Sequence, residues 1–359
     1  MQRSGLELAA DYYRDVVAGL LADRWPGLPH AAARLGSGSD VLGLDDVVSR
    51  DHDFGLRLTL MVERDLVAAV EEYLEERLPE TYQGWPTRFA TSWDARVRHK
   101  VQVDTAEDFA ASRLGVPLDR DWDALDWLAV TGQSVLEVTA GAVFADSLGA
   151  ISAIRRRLRW YPRDVWCQVV ATDWRRIGQE LPFVGRTGSR GDDLGSAALI
   201  GRLVPIAMHL GFLLESRWPP YPKWLGTRFA QLPHASAAGP ALAAAQRALT
   251  WPERQAAFVE ALVTLHEVQR AAGLPTGPDV VESFFDRPFA SVKASVSELL
   301  LTEVQDPLLR GLPAGVGSVE QWVDNVDVLS FPARRVAVTE AWRSNDARDR
   351  AVAHRDQRP

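Results

Sequence analysis

The chain is poor in cysteine, with Cys167 as its single thiol among 359 residues. One thiol excludes an intramolecular disulfide and a metal site built from several cysteines. No apolar run reaches the length of a membrane span, and the N-terminal residues lack the pattern of a signal peptide. These absences predict a cytoplasmic protein with no membrane partner.

The sequence also lacks an excess of positive charge. It has 40 Lys and Arg against 48 Asp and Glu, for a net charge of −8. Without a global basic field, long nucleic acid is an unlikely partner. The hydrophobic content of 47% and charged content of 25% are ordinary for a globular protein, and the length allows two domains.

A turn rich in glycine and serine runs through Gly36, Ser37, Gly38 and Ser39. Such a turn can direct backbone N–H groups and hydroxyls at a phosphate, because glycine allows the close approach and unusual dihedrals. Most Gly-Ser turns taken alone are only turns. What makes this one a candidate phosphate site is the acidic pair that follows it.

Asp51 and Asp53 flank His52 at the head of an apolar run. The alternation over residues 51–62 predicts a strand that places Asp51, Asp53 and Arg57 on one face. Two carboxylates on one face can hold a divalent cation, whereas an isolated Asp-x-Asp is usually a solvated loop. His52 falls on the opposite face and is predicted to pack. Arg57 could contact a phosphate or neutralise a carboxylate.

A third carboxylate, Asp104, ends an alternating segment at residues 97–104 that predicts a strand with one polar face. Ends of strands are where α/β sheets place ligands. Two like charges about 4 Å apart repel by about 4 kcal/mol at an effective dielectric constant of about 20. A bound cation would therefore reduce the repulsion within such a cluster of carboxylates. Oxygen ligands alone favour Mg²⁺ or Mn²⁺.

The ordered set of Gly36-Ser37, Asp51-His52-Asp53 and Asp104 resembles the signature of the nucleotidyltransferase superfamily of DNA polymerase beta. The variants it is most similar to are the small bacterial enzymes that nucleotidylate antibiotics. With a later arginine–aspartate segment and a Pro-Lys-Trp segment, residues 5–240 also look like a bacterial family of uncharacterised function, which joins such a catalytic domain to a helical one.

The resemblance implies metal-dependent transfer of a nucleoside monophosphate from a nucleoside triphosphate, with ATP expected, to a hydroxyl of an unidentified small molecule or protein. Asp51, Asp53 and Asp104 would be catalytic and hold Mg²⁺ or Mn²⁺, and Asp104 could accept the proton of the attacking hydroxyl. Two other interpretations are consistent with the sequence: a catalytically silent nucleotide-binding module, and a toxin–antitoxin component. Candidate nucleotide contacts are Gly36, Ser37, Ser39, Arg57, Arg186, Asp192, Lys223 and Trp224.

Four of these contacts fall in the second half of the chain, and three of them have a simpler interpretation. Arg186 and Asp192 lie in a predicted Gly-rich loop, where Asp192 could instead cap the following helix. Lys223 could neutralise phosphate or be a surface lysine. Trp224 could stack on a base or fill the core.

The predicted fold class is α+β, with a nucleotidyltransferase sheet-and-helix domain over residues 1–147. An all-α domain over 148–345 would supply the nucleotide or acceptor side of the cleft, and a charged tail over 346–359 is expected to be disordered. Strands are predicted over residues 31–35, 51–62, 97–104 and 138–146. The main helices are predicted over residues 5–24, 63–78, 165–181, 191–214, 251–272, 289–304 and 333–345.

Overall fold

The computed structural model describes residues 3–49, 54–91, 94–313 and 315–355, with side chains up to residue 343. The chain forms two compact units. Unit 1 comprises residues 1–121 and 134–159, and unit 2 comprises residues 122–133 and 160–359. The chain therefore passes between units three times, where the sequence predicted one boundary at residue 147.

The structure is mixed α+β, which confirms the predicted fold class. Its strands are β1 Ala31–Arg34, β2 Leu58–Met61, β3 Thr81–Tyr82, β4 Trp85–Pro86, β5 Arg88–Thr91, β6 Asp94–His99, β7 Val101–Asp104, β8 Ala142–Asp146, β9 Val281–Ser283 and β10 Ala290–Val292. The first seven helices are α1 Gly5–Tyr12, α2 Ala18–Arg24, α3 Val67–Arg77, α4 Ala106–Leu114, α5 Ala124–Ala129, α6 Gly132–Thr139 and α7 Ala150–Arg157. The others are α8 Arg163–Gly188, α9 Asp193–Leu214, α10 Pro222–Phe229, α11 Gly239–Arg247, α12 Trp251–Ala271, α13 Ala294–Glu303, α14 Pro307–Arg310, α15 Val326–Leu329 and α16 Pro332–Arg355.

Unit 1 is built on a four-stranded sheet in the order β7-β2-β1-β8. Strand β1 runs antiparallel to β2 and β8, and β2 runs parallel to β7. Leu58 and Leu60 of β2 are buried with Tyr12 of α1 and Leu74 of α3 in one apolar core. Burial of this apolar area is the main favourable term that fixes the sheet against the helices.

The strand predicted over residues 51–62 begins only at Leu58. Residues 54–57 are irregular and bend at Gly55. Gly55 is buried, and a Cβ there would lie 2.8 Å from the ring of Phe89. The alternate-face argument for Arg57 therefore fails, because alternation of faces requires continuous extended backbone.

Two other predicted strands are also shorter than expected. The segment predicted over residues 97–104 divides at Lys100, because β6 pairs with β5 whereas β7 pairs with β2. The segment predicted over residues 138–146 starts as helix α6 and becomes strand only at Ala142. Gly141 makes the transition at φ 76°, and a Cβ there would lie 2.1 Å from the Arg34 carbonyl oxygen.

Unit 2 is mainly helical, as predicted, but it also contains the antiparallel pair β9 and β10. Helix α13 starts at Ala294, after β10, so the helix predicted from residue 289 was placed too early. Helix α8 extends past the predicted end, through Gly188. Helix α16 continues to Arg355, so the backbone of residues 346–355 is helical where the charged composition predicted disorder. Alanine and arginine, which recur there, are strong helix formers.

Among the described residues, helix α9 is long and apolar enough to cross a membrane by length and composition, and 56% of its apolar window is buried. Core helices of soluble proteins have the same character, because a helix surrounded by other helices is apolar on most sides. Helix α9 packs against α8 and α12 in unit 2, which accounts for its composition.

Candidate functional site

The Gly-Ser turn follows directly from the buried strand β1, as the sequence predicted. Gly36 has φ 84° and Gly38 has φ 138°, conformations that favour glycine. The Gly36 N–H donates to the carbonyl oxygen of Glu137 at 2.7 Å. This donor is therefore already used within unit 1, so Gly36 shapes the turn and does not offer its N–H to a ligand in this structure.

A buried ion pair supports the turn from within. Arg34 donates from Nε to Asp40 Oδ2 at 2.7 Å and from Nη2 to Asp40 Oδ1 at 2.8 Å, while Nη2 also donates to the Ser37 carbonyl oxygen at 2.8 Å. Arg34 is 2% exposed and Asp40 is 6% exposed. A Cβ on Gly38 would lie 2.2 Å from Asp40 Oδ1 and 2.5 Å from Arg34 Nη2. This pair, which supports the turn through Asp40 and the Ser37 carbonyl, was not predicted from the sequence.

Arg57 lies at the outer side of the turn. Its Nη2 is 3.5 Å from the Ser37 hydroxyl oxygen, so the structure brings together two of the predicted phosphate contacts. Ser39, the third, donates its hydroxyl to the Ser49 carbonyl oxygen at 3.3 Å. Ser37 is half-buried and Gly38 is exposed, so this side of the turn faces solvent within unit 1.

Arg113 lies near the turn, and Lys100 lies close enough to Arg57 to interact with its charge; neither cation was predicted. Arg113 approaches Gly36, where a Cβ would lie 3.4 Å from Nη2, and it donates to Gln102 Oε1 at 3.1 Å. Its Nη1 is 3.7 Å from Glu137 Oε2. The pKa of the Lys100 ammonium is lowered chiefly by burial, and the positive charge of Arg57 lowers it further. Both cations are far from the turn in sequence, so local spacing gave no signal for them.

Asp104 does not lie beside the Gly-Ser turn. The register pairs Asp104 with Met61 and Met61 with Ala31, whereas the turn follows Arg34 at the other end of β1. Three residues of strand correspond to about 10 Å. Burial raises the pKa of the Asp104 carboxyl, and Oδ1 accepts the N–H of Thr105 at 2.9 Å.

The predicted metal ligands Asp51 and Asp53, and His52 between them, lie outside the described residues. Within the ranges that are described, no group of three His, Cys, Asp or Glu side chains is arranged to hold a metal ion. Of the three proposed ligands, Asp104 alone belongs to those ranges. The magnesium site therefore remains a prediction from the sequence.

The four predicted contacts in unit 2 fall at two separate places. Arg186 lies in the last turn of α8, not in a loop, with its guanidinium 5.7 Å from the ring centroid of Phe183. Asp192 is the N-cap of α9, and its Oδ1 accepts the N–H of Gly195 at 2.7 Å. The capping interpretation of Asp192 is confirmed.

Lys223 and Trp224 lie in α10, which follows the other end of α9. The 22 residues of α9 span about 33 Å at 1.5 Å per residue. Lys223 is exposed, with its Nζ 4.7 Å from the ring centroid of the half-buried Trp224. The structure pairs these two residues with each other but places them apart from Asp192.

A family model described as a domain of unknown function, DUF4037, matches residues 127–225. No curated protein matches the chain. Among solved structures, the chain is similar to a nucleotidyltransferase-like protein from Exiguobacterium sibiricum 255-15. The identity is 12% and the TM-score 0.33, with 73% of this chain and 74% of that protein covered.

Proposed function

We propose that this chain is a nucleotidyltransferase that moves a nucleoside monophosphate from a nucleoside triphosphate, with ATP expected, to a hydroxyl of a small molecule or protein. The hydroxyl oxygen would bond to the α-phosphorus, the bond to the β-phosphate would break, and pyrophosphate and the hydroxyl proton would leave. The observation that carries the proposal is the Gly-Ser turn held by the buried Arg34–Asp40 pair, with Arg57 3.5 Å from the Ser37 hydroxyl. A guanidinium and a hydroxyl at a preformed turn suit the oxygens of a phosphate.

The described residues supply electrostatic stabilisation. Phosphoryl-type transfer depends mainly on positioning and on neutralising charge that develops on the phosphate oxygens. Arg57 would donate to a non-bridging oxygen, and the Ser37 hydroxyl would donate to a second one. Because Arg34 is bound to Asp40 and to the Ser37 carbonyl, it would position the turn without contacting the substrate.

The proposal assigns Mg²⁺ or Mn²⁺ to Asp51, Asp53 and Asp104, as the order of motifs in the sequence suggests. A bound divalent cation would supply Lewis-acid polarisation of the phosphate. The sheet register sets a condition on Asp104, because about 10 Å of strand separates it from the turn. In this proposal Asp104 therefore acts only if the substrate extends along β2.

A silent nucleotide-binding module is the second candidate, and that same separation of Asp104 favours it. Such a protein would bind a nucleoside triphosphate at the turn and perform no transfer. A toxin–antitoxin component would carry out the same chemistry on one partner protein.

The deciding experiment is calorimetric titration of ATP into the full chain with and without magnesium. We expect magnesium-dependent binding by the wild type and its loss in an Asp51→Ala/Asp53→Ala double variant. Equal binding by both proteins would remove the metal assignment. Mass spectrometry of the protein incubated with each triphosphate and a cell extract would then detect nucleotidyl transfer, whereas binding without any mass addition would favour the silent module.

A further inference from the structure

Unit 2 contains a pocket of about 230 Å³ that the proposed function does not use. One wall is a single face of helix α8 and includes Thr172 and Arg175. The other wall comes from α13, α14 and the residues after each helix. Its apolar part consists of Leu301, Val304, Leu309, Leu312 and Pro313.

Arg175 is the unusual member of this lining. Its Nε is buried and has no hydrogen-bond partner among the residues that the structure describes. In the described ranges, no carboxylate lies within ion-pair distance of its guanidinium, whereas its neighbour Arg176 is 2.9 Å from Asp173. A buried donor without an acceptor raises the free energy of the folded protein, and native proteins contain few such donors. An anion in the pocket would supply a counter-charge for the Arg175 guanidinium.

Arg310 adds a second positive charge at the opposite wall. Its Nε donates to the Val304 carbonyl oxygen at 2.9 Å, and the residue is exposed. As for Arg175, no carboxylate among the described residues lies within ion-pair distance of Arg310, whose Nε contact is to a backbone carbonyl. None of the described residues that line the pocket is acidic. Two arginines therefore line a half-apolar cavity in a protein whose net charge is −8.

The size of the pocket limits its ligand. Pockets for drug-sized molecules begin at about 300 Å³, so this one suits a smaller molecule. A nucleoside triphosphate is too large, and no aromatic side chain among the described lining residues could stack on a base. We propose that the pocket binds a small organic anion, with a carboxylate or phosphate between Arg175 and Arg310 and a short alkyl body against the leucines. This binding is independent of the proposed nucleotide site.

The test titrates the full chain, without nucleotide or divalent metal, with four probes of matched length. Hexanoate and hexyl phosphate carry the anion, whereas hexanol and hexylamine do not. We expect calorimetric binding of at least one anionic probe and none of hexanol or hexylamine. The better anionic probe identifies the head group. Binding of all four probes, or of none, would overturn the proposal.

Three variants locate the binding. Arg175→Leu should weaken binding of the anionic probe about tenfold or more, because a hydrogen bond between charged groups contributes at least that much to affinity. Arg175→Lys keeps the charge and should lose less. Arg247→Leu replaces an exposed arginine on α11, outside the pocket, and should bind as the wild type does. Wild-type affinity in Arg175→Leu, with an unchanged circular dichroism spectrum, would contradict the assignment.

Discussion

Arg34 and Asp40 form a two-hydrogen-bond ion pair whose side chains are 2% and 9% exposed, directly beneath the Gly-Ser turn. The geometry is the forked pairing of guanidinium with carboxylate. Because both charges are out of water, each depends on the other for compensation. The shape of the candidate phosphate site therefore depends on a pair that would not itself touch the ligand.

Breaking this pair should be costly. We expect Asp40→Asn to lower the free energy of unfolding by about 3–5 kcal/mol, because the Arg34 guanidinium is left buried without its counter-charge. Urea denaturation monitored by tryptophan fluorescence measures the change. The matched control is Asp108→Asn, which breaks an exposed pair with Arg64 and should cost about 1 kcal/mol or less. Equal losses in the two variants would show that burial of the pair does not matter.

Glycine at position 38 is required by its neighbours. Gly38→Ala would place Cβ against the Asp40 carboxylate and the Arg34 guanidinium, so we expect a loss of at least about 2 kcal/mol in unfolding free energy. Gly43→Ala is the control, because Gly43 also has positive φ, 65°, but nothing lies within 4 Å of its Cβ position. That variant should show only the backbone cost of about 1 kcal/mol. A Gly38→Ala protein as stable as Gly43→Ala would refute the steric argument.

Arg57 should contribute directly to binding of a nucleoside triphosphate. We expect Arg57→Ala to weaken ATP binding about tenfold or more, since a charge-assisted hydrogen bond to phosphate is lost. Calorimetric titration in the presence of magnesium measures the effect. Arg156→Ala, on the exposed side of α7, removes the same charge from unit 1 and should leave the affinity unchanged. If both variants lose affinity for ATP equally, the loss comes from the lower positive charge of unit 1 and not from a contact between Arg57 and the phosphate.

The register of the sheet makes a separate prediction for Asp104. If substrate phosphates extend along β2, Asp104→Asn should abolish nucleotidyl transfer while leaving ATP binding within about threefold of the wild type. Transfer is followed by mass spectrometry and binding by calorimetry. Wild-type transfer in Asp104→Asn would remove Asp104 from the site without affecting the assignment of Arg57 and Ser37.

Unit 2 should lose stability in alkaline solution because of His209. Its Nδ1 is 2.5 Å from Asp173 Oδ2, and its Nε2 is 3.7 Å from Glu320 Oε1. Burial alone would lower the pKa of His209, but the charge and hydrogen bond of Asp173, and then Glu320, raise it from 6.5 to about 10. The stabilisation is therefore complete below pH 6.5 and is lost as the pH rises through about 10.

Chemical denaturation between pH 6 and pH 10 tests this dependence. The wild type should become progressively less stable over that range, and His209→Gln should show a flatter profile. On the acid side, burial alone would raise the pKa of Asp173, but His209 and Arg176 outweigh it and lower that pKa, so the contribution of Asp173 is lost as the pH falls through the lowered value. Identical alkaline slopes in wild type and His209→Gln would show that another group titrates there.

Local features of the fold were predictable from the sequence, because they depend on neighbours along the chain. The strand at residues 31–34, the helix after residue 63 and the long helices of unit 2 follow from apolar periodicity. Asp192 caps α9 through an N–H three residues away. Glycine at positions 36 and 38 likewise permits the positive φ that both residues adopt.

Tertiary pairing decided the limits of the strands and the composition of the site. The segment from 97 to 104 alternates throughout, yet it divides at Lys100 because its two halves pair with different strands. Pairing register also decided that Asp104 lies opposite Met61.

By itself, the sequence determined where the turn lies and which residues compose it, since backbone preference is local. Only the tertiary structure decided that Arg57 and Arg113 approach that turn and that Asp104 does not. The physical reason is that strand register and core packing depend on contacts between residues far apart in the chain, and these contacts leave no periodic pattern in the sequence.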